Sequence, residues 1–197
     1  MSNESERMTI TLPFNFKGKR NVTLDKAPES IQDNKQTVIQ AVQQYGQDLL
    51  YASPRLRGDK GVVLEAIKQD TWALQYASDE LRADKEVVLQ AVNKYGGSLK
   101  HSSEQLKADK EVVCVAVRQI GNALQWASDT LKSDKDVVLE AVSKNQNSIR
   151  HASGELQELC NGKDPVKTLE SAIAHEKLQA SLAQKRPAPA RTQTLKI

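Results

Sequence analysis

Residues 84–108 read DKEVVLQAVNKYGGSLKHSSEQLKA, and residues 109–133 read DKEVVCVAVRQIGNALQWASDTLKS. The second stretch is the first displaced by 25 positions without a gap, and the register extends in both directions. DKGVVLEAIKQDTWALQYASDELRA occupies 59–83 and DKDVVLEAVSKNQNSIRHASGELQE occupies 134–158. A divergent copy, NKQTVIQAVQQYGQDLLYASPRLRG, stands at 34–58. A fixed period of this size marks a repeat array, because a unit that short cannot bury two apolar faces alone and must share a core with its neighbours.

Each unit carries the signals of helix, turn, helix and a short final turn. Asp84 is a good N-cap, Glu86 suits the positive end of a helix dipole, and Val88, Ala91 and Val92 fall at i, i+3 and i+4. Gly46, Gly96 and Gly121 sit where that helix should stop, as C′ glycines would, with Thr71 and Gln146 in the other two units. Leu74 with Ala77, and Leu124 with Ala127, then fall three apart on a second helix. A serine follows in every unit, and Pro54 after Ser53 reads as an N-cap followed by an N1 proline, so one more helical turn ends near Leu56. The expected fold is all-α, an α-solenoid of five tandem 25-residue units spanning 34–158.

The ends differ from the middle, as caps do. Within the 1–33 segment, Met8 to Leu12 alternate apolar and polar ahead of a Lys17-Gly18-Lys19 turn, which predicts a short β-hairpin cap. Within 159–184, Asp164-Pro165 opens a capping helix with Val166, Leu169 and Ile173 on one stripe. Residues 185–197 hold two prolines and four bases with no acid, and are expected to be a mobile tail able to serve as a secretion or docking peptide.

The phrase DKEVVLQAV, a short WALQYAS-type helix and then DELRADKEVV resemble the repeats called domain of unknown function 4116. The resemblance covers roughly 34–157, with two units per family domain and the first unit, carrying Thr37 and Ile39 in the valine run, departing most. It implies tandem helical repeats of a kind found in protist and algal proteins and in bacteria living inside eukaryotic cells, including translocated effectors of Legionella. It brings no catalytic residues.

Composition narrows the function. The 197 residues are 39% hydrophobic, 27% charged and 4% aromatic, which fits a soluble globular chain with an aliphatic core. No apolar run is long enough to span a bilayer, and the acids near Met1 do not suit a signal peptide. Cys114 and Cys160 form no CxxC motif, so reduced thiols in the cytoplasm, or in a host cytosol for an exported protein, are expected. The net charge is +3, but residues 34–157 hold 16 basic and 16 acidic side chains. A neutral array has little pull on phosphate backbones, so nucleic acid is an unfavoured partner.

No nucleophile, base or metal ligand set is placed once with a supporting shell, so neither catalysis, cofactor nor small-molecule substrate is predicted. His101 and His151 share one unit position 50 residues apart and cannot share an ion; His175 stands alone, and Cys114 replaces a core leucine. The informative column lies before each Ala-Ser or Ser-Ser pair, where Tyr51, Tyr76, His101, Trp126 and His151 put a ring in every unit. Leu50, Gln75, Lys100, Gln125 and Arg150 precede them, and Trp72 and Tyr95 extend the column at the helix junctions. Two readings are open: packing against the next unit, or a ridge of residue types that concentrate binding energy at protein interfaces. The expected function is a non-enzymatic protein-interaction module or scaffold, acting on a host protein in the case of a translocated effector. The alternative is a single-stranded RNA reader with one stacking ring per unit.

Overall fold

The computed structural model describes residues 24–184. The β-hairpin expected around Met8 to Leu24 and the tail at 185–197 therefore lie outside the described residues, Leu24 excepted. Among the described residues every regular element is helical and there is no strand. In chain order they are a 3-10 turn at Leu24–Lys26, α1 (Glu29–Gln32), α2 (Lys35–Gln44), α3 (Pro54–Arg57), α4 (Lys60–Gln69), α5 (Asp79–Arg82) and α6 (Lys85–Lys94). Then follow α7 (Glu104–Lys107), α8 (Lys110–Gln119), α9 (Asp129–Lys132), α10 (Lys135–Lys144), α11 (Gly154–Leu159) and α12 (Pro165–Gln184). A six-residue 3-10 segment follows each of the five ten-residue helices: Gly46–Tyr51, Thr71–Tyr76, Gly96–His101, Gly121–Trp126 and Gln146–His151.

The long helices begin as their sequence dictates. Asp84 Oδ1 accepts from the amides of Glu86 at 2.9 Å and Val87 at 3.2 Å, filling two of the donors that a helix start leaves open. Asp109 and Asp134 cap their helices in the same way, and Asn34 and Asp59 each accept from one amide, of Thr37 and Val62. The valines and alanines of the 3.6-residue stripe then go inside: Val87, Val88, Ala91 and Val92 are fully buried, as are Val112, Val113, Ala116 and Val117. At about 25 cal/mol per Å² of apolar surface, each such valine stabilises the stack by roughly 1.5–2 kcal/mol.

The second helix of each unit is a 3-10 segment, and the reason is geometric. Tyr95 leaves the α-helix with an extended backbone (φ −150°, ψ 109°) and Ser102 is extended again (φ −76°, ψ 164°), so only six residues remain between. Three residues per turn puts i and i+3 on one line, which accounts for the burial of Leu74 together with Ala77 just beyond the segment.

Gly46, Gly96 and Gly121 are not left-handed C′ residues. Among the described residues only Gly162 has positive φ, at 68° in the loop after α11. The three glycines are needed because the next unit comes too close: a Cβ on Gly46 would lie 2.5 Å from the Ala66 carbonyl oxygen, and one on Gly96 or Gly121 would strike the Ala116 or Ala141 carbonyl. In the second unit Thr71 takes this place and is itself buried.

Two hydrogen-bond ladders run between units. Each unit's Lys reaches the N-cap acid of the next, with Lys35–Asp59 at 2.6 Å, Lys60–Asp84 at 2.9 Å, and Lys85–Asp109 and Lys110–Asp134 both at 2.7 Å. Each unit's serine amide donates to the carbonyl near the end of the preceding unit, as Ser78 to Arg57, Ser103 to Arg82, Ser128 to Lys107 and Ser153 to Lys132, all at 2.9 Å.

The backbone ladder begins earlier than the five units do. The Ser53 amide donates to Gln32 at 3.0 Å, and LDKAPESIQD at 24–33 aligns with LLYASPRLRG at 49–58. Leu24 and Ala27 are buried as Leu49 and Ala52 are, so the 3-10 turn and α1 are the closing half of a further, degenerate unit. At the other end α12 packs on α10, burying Leu169, and Glu176 takes the Lys135 ammonium in place of a next N-cap acid.

Candidate functional site

The lysine ladder defines one edge of the array and uses up its charge. Asp59 and Asp84 are held below the usual carboxylate range first by the hydrogen bonds from Lys35 and Lys60, against partial desolvation and with help from helix-start amides. At Asp109 and Asp134 desolvation is the largest influence and pushes upward, but the Lys85 and Lys110 ammoniums and the capped amides outweigh it. That edge is a seam between units.

The 3-10 segments form the other edge, and the ring column lies along it. Tyr51 is exposed, whereas Tyr76, His101, Trp126 and His151 are half-buried, and Tyr76 and Trp126 pack against the core. Leu50, Lys100, Gln125 and Arg150 are exposed and Gln75 is half-buried. The largest exposed rings are the junction residues, Trp72 at 45% and Tyr95 at 40%, joined by Tyr45 at 48%. Tyr45 escaped the reading of the column, although it stands 50 positions before Tyr95 in the same unit register.

The structure brings some of these residues together. Trp72 reaches across to the ring of His101 in the next unit, with centroids 5.4 Å apart and planes tilted by 58°. Tyr51 and Tyr76 share a cleft with Tyr45. The Arg150 Nε donates to His151 Nε2 at 3.1 Å. Burial pushes the His101 imidazole below its ordinary pKa, and the cations of Lys100, Arg82 and Lys107 push it further. His151 is lowered by burial and then by Arg150 and Lys132. In both the shift favours the neutral imidazole.

Among the described residues no group of three or more His, Cys, Asp or Glu side chains is placed to hold a metal ion, and no helix is long and apolar enough to cross a membrane. Cys114 and Cys160 are free thiols whose pKa is raised by burial. His175 is exposed, with its Nε2 2.7 Å from Gln179 Nε2.

Residues 59–107 and 109–157 each match the family described as Domain of unknown function (DUF4116). The chain holds two tandem matches to DUF4116. Each domain is two of the 25-residue units, so the DUF4116 repeat is itself a duplication, and both halves contribute to the lysine seam and the ring edge. The first unit at 34–58, with Tyr45 and Tyr51, precedes the matched residues. No curated protein and no solved structure matches the chain.

Proposed function

We propose that the chain is a non-enzymatic protein-interaction module, an α-solenoid whose 3-10 edge is the binding face. The asymmetry between its edges supports this reading. On the seam the charges satisfy one another, while the 3-10 edge presents Tyr45, Tyr51, Trp72 and Tyr95, with Lys100 and Lys144 outside any ion pair among the described residues. Exposed aromatics beside cations on a rigid scaffold are what hot spots are made of. The resemblance to repeats of intracellular bacteria extends the proposal to a partner protein in a eukaryotic host, met in the host cytosol after translocation.

Affinity capture from a eukaryotic lysate, with and without nuclease, tests the reading. A stoichiometric protein retained after nuclease and lost on Trp72→Ala with Tyr95→Ala supports it. Capture abolished by nuclease overturns it in favour of an RNA-binding array.

A further inference from the structure

The array is joined to its capping helix by a loop, Cys160-Asn161-Gly162-Lys163, that separates α11 from α12. Asn161 is exposed, and its carboxamide makes no hydrogen bond among the described residues. The amides on either side of Gly162 are taken, Asn161 donating to the Glu158 carbonyl at 3.1 Å and Lys163 to the Cys160 carbonyl at 3.0 Å. The Gly162 amide itself donates to no acceptor among the described residues. Its residue sits at φ 68°, and nothing lies within 4 Å of where a Cβ would stand, so the nitrogen is unobstructed.

An asparagine carboxamide is open to attack by the backbone nitrogen that follows it when that nitrogen is unbonded and uncrowded, which is one reason asparagine is a thermolabile residue. The other described asparagines lack these conditions. The amides after Asn147 and Asn122 are bound, Ser148 to the Asn145 carbonyl at 2.8 Å and Ala123 to the Ile120 carbonyl at 2.7 Å. Asn34 and Asn145 have their Oδ1 held by the amides of Thr37 at 3.0 Å and Asn147 at 3.1 Å, and Asn93 lies inside α6. We propose that Asn161-Gly162 is a site of spontaneous deamidation whose product loosens the C-terminal cap. The Gly162 nitrogen bonds to Asn161 Cγ, the Cγ–Nδ2 bond breaks, and the departing nitrogen takes up the proton that Gly162 gives up and leaves as ammonia. Water then opens the resulting succinimide at either carbonyl, giving aspartate or isoaspartate, with nothing oxidised or reduced.

The product suits its surroundings. A cleft of about 290 Å³ beside the loop is lined by Arg150 and Lys163 and by no acid, and neither cation is in an ion pair among the described residues. The isoaspartate form also inserts an extra carbon into the backbone between α11 and α12. The hold of α12 on α10, through Leu169 and the Glu176–Lys135 pair, depends on that connection. The chemistry needs only water, so its failure leaves the protein-interaction reading untouched.

The test is to age the full chain at neutral and at mildly alkaline pH and then digest it with trypsin. Residues 145–150 and 151–163 are released as two peptides, carrying Asn145 and Asn147 on one and Asn161 on the other, for mass spectrometry. Asn161 should convert about tenfold faster than Asn147, giving both aspartate and isoaspartate, with a rate that rises with pH. The thermal midpoint of the aged chain should fall, while that of an Asn161→Ser chain aged alongside should not. Asn161 that stays intact in the folded chain but converts in urea overturns the proposal. So does equal conversion at Asn147, or an aged chain whose midpoint falls no further than that of Asn161→Ser.

Discussion

The Lys85 ammonium lies 2.7 Å from Asp109 Oδ2, while Oδ1 of the same carboxylate accepts from the amides of Glu111 and Val112. One aspartate thus starts its own helix and fastens the unit before it. This double use explains why the array can recur every 25 residues without insertion: the residue that sets where a helix begins also sets where its neighbour sits.

The two roles separate by mutation. Asp109→Ala removes the cap and the bridge and should cost about 1 kcal/mol or somewhat more. Lys85→Met removes only the exposed ion pairs to Asp109 and Glu111, so its effect should be smaller. Urea denaturation of both variants checks the ranking, and equal losses would show that the bridge dominates.

Stability should fall with acid in two stages. His101 and His151 have lowered pKa values in the fold, so the unfolded chain takes up protons first and stability drops as pH falls below about 6.5. The N-cap acids Asp59, Asp84, Asp109 and Asp134 are also lowered, and their contribution, complete above about pH 4, is lost as pH falls through the folded values. Thermal midpoints by circular dichroism from pH 7 to pH 3 should show both stages. His101→Gln with His151→Gln should erase the first only.

Glycine substitutions should split by what the new methyl group meets. Gly96→Ala and Gly121→Ala drive a Cβ into the carbonyl of the next unit and should cost about 1–3 kcal/mol. Gly58→Ala meets nothing nearer than 3.5 Å at φ −94°, and Ala83 and Ala108 already occupy the equivalent position. That change should stabilise the chain by about 0.5 kcal/mol. Chemical denaturation of the three variants measures the split.

The long helices and their buried face could be read from the sequence because caps and periodicity are local. Asp84 and the Val88, Ala91 and Val92 stripe behave in the fold as their spacing predicts. The 3-10 segments could not be distinguished, since Leu74 and Ala77 three apart suit either kind of helix. The glycines were misread because the atom that excludes a side chain at Gly96 belongs to Ala116, twenty positions on. The half unit at 24–33 was obscured because Pro28 stands where Ser53 stands one unit later. In the ring column the structure ranks what the pattern left level: Tyr76 and Trp126 lean on the core, whereas Tyr45, Trp72 and Tyr95 face outward. The tyrosine-walled cleft is a junction between two units, and no single repeat displays it.

Site-specific photo-crosslinking most directly tests whether the 3-10 edge is the working face. A benzoylphenylalanine placed at Tyr95 on that edge is compared with one at Glu86 beside the lysine seam, in the full chain, in lysate with nuclease. The account predicts a discrete protein adduct from position 95 and none from position 86. Adducts from position 86 alone, or an adduct at 95 that disappears with nuclease, would contradict it.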